Sequence, residues 1–137
     1  MTTKDKASLL ANSALFVHLS AKALEFLAER ASRVELERGH MIFRQGDEGD
    51  TLFVIADGMV KVWVSSGDGG EMVLATLRRP DAFGELSAVD GRPRSASATT
   101  LEPTTLIAVD RATLLDAVHR HPGVADGMLS ALGGLAR

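Results

Sequence analysis

Between Val34 and Val109 the chain is written in short apolar runs, each closed by turn chemistry. Met41 to Phe43, Thr51 to Ala56, Met59 to Val64, Met72 to Leu77, Ser95 to Leu101 and Thr105 to Val109 are β-type runs. Between them stand Gly46-Asp47-Glu48-Gly49-Asp50, Asp57-Gly58, Gly67-Asp68-Gly69-Gly70, Arg79-Pro80-Asp81 and Glu102-Pro103. Short strands at such close, regular spacing predict a β-barrel or jelly roll rather than a parallel sheet. Asp57-Gly58, two residues between two strong strands, predicts a type I′ hairpin with positive φ at both turn positions. Beyond it Val60, Val62 and Val64 alternate with Lys61, Trp63 and Ser65, so one face of that strand is expected to be buried.

Helical periods flank this region. In residues 20–31, Leu24, Leu27, Ala28 and Ala31 fall at i, i+3, i+4 and i+7, with Ser20 placed to cap. A weaker helix is expected over residues 5–12. Asp110 can cap a helix over 111–119 that turns Leu114, Ala117 and Val118 inward. His121-Pro122 opens a last helix with proline at its first position and Val124, Met128, Leu132 and Leu135 or Ala136 as its apolar stripe. The chain therefore reads as one domain, 1–137: N-terminal helices to residue 31, a mainly β body over 32–109, and C-terminal helices over 110–137. The last helix reaches Arg137 with its stripe still running and no capping glycine, which predicts a piece of a longer protein.

Composition narrows the function classes. With 15 Lys+Arg against 18 Asp+Glu the net charge is −3, so these 137 residues carry no electrostatic footprint for nucleic acid. Any DNA contact belongs to a part of the protein outside them. The absence of cysteine excludes disulfides, thiolate chemistry, iron–sulfur clusters and cysteine-based zinc sites. It also fits a reducing compartment, and a cytoplasmic location is expected. No apolar run approaches the ~18 residues of a membrane span. Lys4 and Lys6 precede the apolar stretch Leu9 to Val17, but Asn12 and Ser13 break it, which favours a short helix over a signal peptide.

The chemistry lies in Phe83-Gly84-Glu85-Leu86-Ser87-Ala88-Val89-Asp90-Gly91-Arg92-Pro93-Arg94-Ser95-Ala96-Ser97-Ala98. Gly84 permits close backbone approach, and a short helix over 85–89 would start with unpaired N–H donors suited to an anion. Arg94 adds a permanent charge in a planar fork that fits phosphate oxygens. Glu85, acceptor-only when ionised, cannot face phosphate but can accept from a sugar hydroxyl. Ser95, opening the next strand, offers a small donor. Together they describe a site for a ribose phosphate. The competing reading of Glu85 and Arg94 is a surface salt bridge beside a glycine turn.

This segment resembles the phosphate-binding cassette of cyclic-nucleotide-binding domains, as in the bacterial cyclic AMP receptor protein and fumarate-nitrate reductase regulator family. The resemblance rests on Phe83-Gly84-Glu85-Leu86 followed by Arg94-Ser95. It extends to Arg38-Gly39-His40, Phe43-Arg44-Gln45-Gly46-Asp47-Glu48-Gly49-Asp50, Leu52-Phe53-Val54-Ile55, Asp57-Gly58-Met59-Val60-Lys61-Val62 and Glu71-Met72-Val73-Leu74. It implies a double-stranded β-helix (jelly-roll) fold with flanking helices and a non-catalytic sensor binding a cyclic mononucleotide, cyclic AMP or cyclic GMP with cyclic AMP the favoured reading, without other cofactor. Gly84, Glu85, Leu86, Ser87, Arg94 and Ser95 would line the ligand. Glu85 would accept the ribose 2′-hydroxyl, and Arg94 would pair with the cyclic phosphate, helped by Ser95 and the backbone at Gly84 and Leu86. It further implies a homodimeric transcription regulator whose DNA-binding part lies elsewhere, the present chain alone being a monomer or weak dimer. Regulation of an enzyme or channel, a degenerate scaffold, and a haem-sensing relative remain alternatives.

Other signals carry less. His119 and His121 sit at an expected helix junction rather than facing a barrel interior, so no metal site is expected there. Trp63 reads as strand packing, and 67–70 lacks the Lys-Ser/Thr and helix of a phosphate loop. No serine or threonine stands in a recognisable nucleophile–base arrangement, so no enzyme activity is expected.

Overall fold

The computed structural model describes the backbone of residues 1–135 and the side chains of residues 1–85 and 87–131. Two helices, α1 (Thr3–Asn12) and α2 (Ala21–Arg30), lead into β1 (Ser32–Leu36), β2 (Met41–Phe43), β3 (Thr51–Asp57), β4 (Met59–Ser65), β5 (Glu71–Arg78) and β6 (Ala82–Phe83). A short helix α3 (Glu85–Asp90) precedes β7 (Ser97–Thr100) and β8 (Thr104–Asp110), and α4 (Arg111–Arg120) and α5 (Val124–Leu135) follow. The expected order of helices, β body and helices is present. Two strands that carry little apolar signal, β1 and β6, join the runs legible in the sequence.

All ladders are antiparallel. β1 pairs with β8, β2 with β7, β3 with β6 and β4 with β5, while β3 also pairs with β8 and β4 with β7. The two sheets run β1-β8-β3-β6 and β2-β7-β4-β5. The body is thus one long hairpin, with β4 and β5 at its tip, rolled so that successive strand pairs alternate between sheets. This is the jelly roll expected from the spacing.

Its layers explain the burial pattern. On β3 the side chains of Leu52, Val54 and Ala56 face the helices, packing with Leu10, Phe16 and Leu27. Ile55 of the same strand lies instead among the residues between the sheets, with Val60, Ala98 and Leu106. A strand covered on both faces needs a continuous apolar run, which is what Leu52 to Ala56 supplies. β5 at the edge of the second sheet has no such cover, and Met72, Val73 and Leu74 are exposed. On β4, Val60 is fully buried while Val62 and Val64 are half-buried, Val62 because it lines a cavity; the register shift opposite Val62 and Trp63 leaves its extra residue, Leu74, on β5.

The helix starts follow the sequence. Ser20 Oγ accepts from Ala23 N–H and Asp110 from Thr113 N–H, and Thr2 with Asp5 forms a capping box. Leu24, Leu27, Ala28 and Ala31 are all buried. Two details differ. Pro122 does not begin the last helix: residues 121–124 form a turn closed by Val124 N–H to His121 O (3.3 Å), and α5 starts at Val124. Val118 does not point inward, because only the Leu114–Ala117 line of α4 faces the core; Val118 stands with Val89, Leu115 and Leu129 on a shallow apolar groove. Val124 and Met128 of the expected stripe are buried, while the side chains of Leu132 and Leu135, and all of Ala136, lie outside the described residues.

The Asp57-Gly58 expectation is overturned. β3 and β4 lie in different sheets, and among the described residues no non-glycine residue has positive φ, so there is no type I′ hairpin at 57–58. Gly58 alone, at φ 100°, carries the chain from one sheet to the other. It does so against the 102–104 corner, where Met59 N–H donates to Thr104 Oγ1 (3.3 Å) and Leu101 N–H to Met59 O (2.8 Å). The tight hairpin is at the β4–β5 tip, where Ser66 N–H donates to Gly70 O. At position 58 a Cβ would lie 2.6 Å from Pro103 O and 2.7 Å from Thr104 Cα, backbone atoms that cannot swing aside. Gly39, also at positive φ, has nothing within 4 Å. Gly39→Ala should therefore cost only backbone strain, about 1 kcal/mol, and Gly58→Ala about 2–4 kcal/mol from strain plus overpacking. Urea denaturation of both variants checks this, and equal losses would mean that the corner yields.

Candidate ligand-binding site

The site is built around a break in the β pattern. β6 pairs Phe83 with Phe53 and then stops at Gly84, whose left-handed conformation (φ 78°) turns the chain into α3. Gly91 ends that helix in the same conformation, its N–H donating to Ser87 O (2.9 Å). The helix expected over 85–89 is thus present, one residue longer. The strand expected to open at Ser95 begins at Ser97. The cause is visible in the hydrogen bonds: Arg94 N–H donates to Asp47 O and Gly46 N–H to Arg94 O, both at 2.8 Å, while Gln45 N–H goes to Ser97 Oγ. The 44–47 turn takes Arg94 out of the ladder before β2 and β7 pair.

Arg94 is only 6% exposed, rare for arginine. Its Nη1 donates to Gly84 O (3.0 Å) and its Nη2 to Thr51 O (2.7 Å). Among the described residues its buried Nε has no hydrogen-bond partner. Burial draws its pKa down while Asp50, Asp47 and Glu85 act in the opposite sense; a guanidinium remains charged throughout. The missing side chain of Gly84 makes room for it, since a Cβ there would lie 2.6 Å from Nη1.

Glu85 stands in the first turn of α3. Burial pushes its carboxyl pKa up, and its own backbone N–H and the Arg94 charge oppose that shift. The two do not form the salt bridge that the competing reading required: the ion pairs among the described residues are Arg30–Glu29, Arg33–Glu35 and Lys61–Glu71. Acid and base remain separately available to a third group.

Both face one cavity of about 270 Å³. Gly84, Glu85, Ser87, Arg94 and Ser95 all line it, Ser87 buried and Ser95 exposed, so five of the six expected residues come together. For the sixth, Leu86, the backbone lies in α3 and the side chain is outside the described residues. The remaining lining includes Phe43, Val62, Ala75, Leu77 and Ala96. These residues come from β2, β4, β5 and the approach to β7. Ala96 belongs to the cassette itself; the sequence shows the other four as strand residues but gives no sign that they meet it. A charged corner continuous with an apolar wall suits a ligand with an anion and a hydroxyl on an otherwise flat, weakly polar body.

The residues set aside as ligands have other occupations. His119 Nδ1 lies 2.9 Å from Leu115 O, and the His121 ring meets Phe26 edge-on at 5.0 Å. Trp63 Nε1 donates to Thr99 Oγ1 (3.0 Å). Among the described residues no cluster of three or more acidic or histidine side chains could hold a metal ion, and no helix is long and apolar enough to cross a membrane.

Comparison with known proteins points the same way. The family model described as "Cyclic nucleotide-binding domain" matches residues 33–121. A CRP-like cAMP-activated global transcriptional regulator of Mycobacterium tuberculosis is 33% identical over 124 residues, covering 90% of this chain and 55% of that protein. The cyclic AMP receptor protein of Thermus thermophilus is 35% identical over 120 residues, covering 88% and 56% respectively. The chain thus spans about half the length of these curated relatives. The crystal structure of the N-terminal domain of a transcriptional regulator from Streptomyces coelicolor superposes with a TM-score of 0.84 at 35% identity, covering 94% of this chain and 92% of that one.

The raised Glu85 pKa has a consequence for stability. The folded protein holds this proton more tightly than the unfolded chain, so the stabilisation is complete below the ordinary value of 4.5 and is lost as pH rises through the folded value. Glu85→Gln, which stays neutral, should gain stability relative to the wild type over a pH range rising from below 4.5. Denaturant midpoints of the two proteins across that range measure it. A difference independent of pH would show that ionising Glu85 costs the fold nothing.

Proposed function

This chain belongs to the cyclic nucleotide-binding domain family, and on that premise we propose that it is a non-catalytic sensor for a cyclic mononucleotide, cyclic AMP before cyclic GMP. The observation that carries the reading is the unpaired couple Arg94 and Glu85 on the wall of one cavity. The Arg94 guanidinium is a buried charge with no ion-pair partner among the described residues, and the cyclic phosphate completes it with charge-assisted hydrogen bonds. Glu85, which forms no ion pair with Arg94, accepts the ribose 2′-hydroxyl. Ser95 adds a donor at the mouth, and the backbone at Gly84 and Leu86 and the buried Ser87 close the sugar-phosphate end. The apolar residues Val62, Ala75 and Leu77 then receive the base.

The relatives named as cAMP-activated or as a cyclic AMP receptor support cyclic AMP as the ligand. Their names, and that of the Streptomyces domain, support control of transcription. With a net charge of −3, these residues regulate DNA binding rather than perform it. The contacts with DNA, and the homodimer in which such a regulator works, are proposed to involve parts of the protein outside this chain.

Two measurements test the roles. Arg94→Ala removes the charged donor, worth about 1.5–3 kcal/mol, and should weaken cyclic AMP binding by about ten- to a hundred-fold with the fold intact. Calorimetry showing wild-type affinity would remove Arg94 from the phosphate. For Glu85, the wild type should bind 2′-deoxy cyclic AMP more weakly than cyclic AMP, and Glu85→Ala should bind the two nearly alike. An unchanged ribo/deoxy ratio would take Glu85 off the ribose.

A further inference from the structure

Two backbone carbonyls are not all that holds Arg94. Its guanidinium carbon lies 4.1 Å from the centroid of the Phe43 ring. That ring is itself fixed, 6.2 Å from the Phe53 ring and 5.9 Å from the Phe83 ring, which are 5.3 Å from each other. The three phenylalanines come from β2, β3 and β6, so both sheets contribute to the stack.

Gly49 approaches the same group from the turn before β3. A Cβ at that position would lie 2.5 Å from Arg94 Cζ and 2.7 Å from Nη2. Unlike Gly46 and Gly84, Gly49 does not have a positive φ. Its backbone conformation is therefore open to any residue, and the guanidinium is what excludes a side chain. Arg94 thus occupies a slot made of an aromatic face, a bare stretch of backbone and two carbonyl oxygens.

We infer that Phe43 is a positioning residue for nucleotide binding, holding the Arg94 guanidinium by a cation–π contact in the slot that Gly49 leaves open. The inference rests on the reading of Arg94 as the phosphate ligand. A long side chain free in the cavity would have to be ordered when the anion arrives. Stacked on a fixed ring and tied to Gly84 and Thr51, it is ordered beforehand. Phe43 supplies no polar atom. Its contribution passes through Arg94, which separates it from Val62 or Leu77, apolar walls with no hold on the charge.

The test is calorimetric titration of cyclic AMP into the wild type, Phe43→Leu, Phe43→Tyr, Gly49→Ala, Arg94→Ala and the Phe43→Leu/Arg94→Ala double variant. Phe43→Leu keeps an apolar wall but loses the π face, and should weaken binding by ~3- to 30-fold. Phe43→Tyr restores a π face and should recover most of that loss. In the Arg94→Ala background, Phe43→Leu should change affinity less than about two-fold, since the group it positions is gone. Gly49→Ala puts a methyl where the guanidinium sits and forces Arg94 off Thr51 and Gly84, so its urea midpoint should fall with those hydrogen bonds and its affinity by about ten-fold or more. Equal losses from Phe43→Leu with and without Arg94, or no recovery with tyrosine, would make Phe43 a cavity wall and overturn the inference. Should Arg94→Ala bind too weakly to measure, the tyrosine recovery and Gly49→Ala decide: wild-type affinity in Gly49→Ala overturns it. Wild-type affinity in Arg94→Ala itself would instead strike the underlying reading, a distinct outcome.

Discussion

The structure depends on where one guanidinium is put. Arg94 reaches from the end of the cassette to the carbonyl oxygens of Thr51 on β3 and Gly84 at the turn into α3. Its backbone meanwhile closes on Gly46 and Asp47. A single residue thus joins the β2–β3 turn, the start of β3, and both ends of the inserted segment. Desolvating that charge is costly, and carbonyl dipoles and an aromatic face offset it only in part. A fold that buries a cation without an ion pair keeps a standing attraction for an anion at that point.

The jelly roll makes this arrangement possible. Strands far apart in sequence pair with each other, so the turn at 44–50 and the segment at 84–96 arrive side by side from opposite arms of the long hairpin. β6 and β7 belong to different sheets. The connection between them must leave one sheet and enter the other, and α3 fills that gap. The helix is short and exposes Val89 and Asp90, whereas Ser87 and Ala88 are buried.

Fold and site were unequally legible. The helix caps at Ser20 and Asp110 and the runs of β3, β4, β5 and β8 stand in the sequence because capping oxygens, turn glycines and residue alternation are local effects. β6 escaped notice because two residues make no period, and β1 because only its inward positions are apolar and those are half-buried. The Asp57-Gly58 reading failed for a related reason. A Gly after Asp promises a turn with positive φ, but whether the next strand folds back on the last or crosses to another sheet depends on partners some 45 residues further on. Pro122 misled in a smaller way, since a proline permits a helix start without requiring one.

The sequence by itself determined six of the eight described strands, the flanking helices, the absence of cysteine chemistry, and four residues at the charged end of the cavity: Gly84, Glu85, Arg94 and Ser95. These are properties of residue type and near-neighbour spacing. Only the tertiary structure decided that Glu85 and Arg94 remain unpaired, that Arg94 is buried against Thr51 and Gly84, and that Phe43 and Gly49 form the rest of its slot. Burial and hydrogen-bond partners across two sheets depend on contacts between residues dozens of positions apart, which no local pattern encodes.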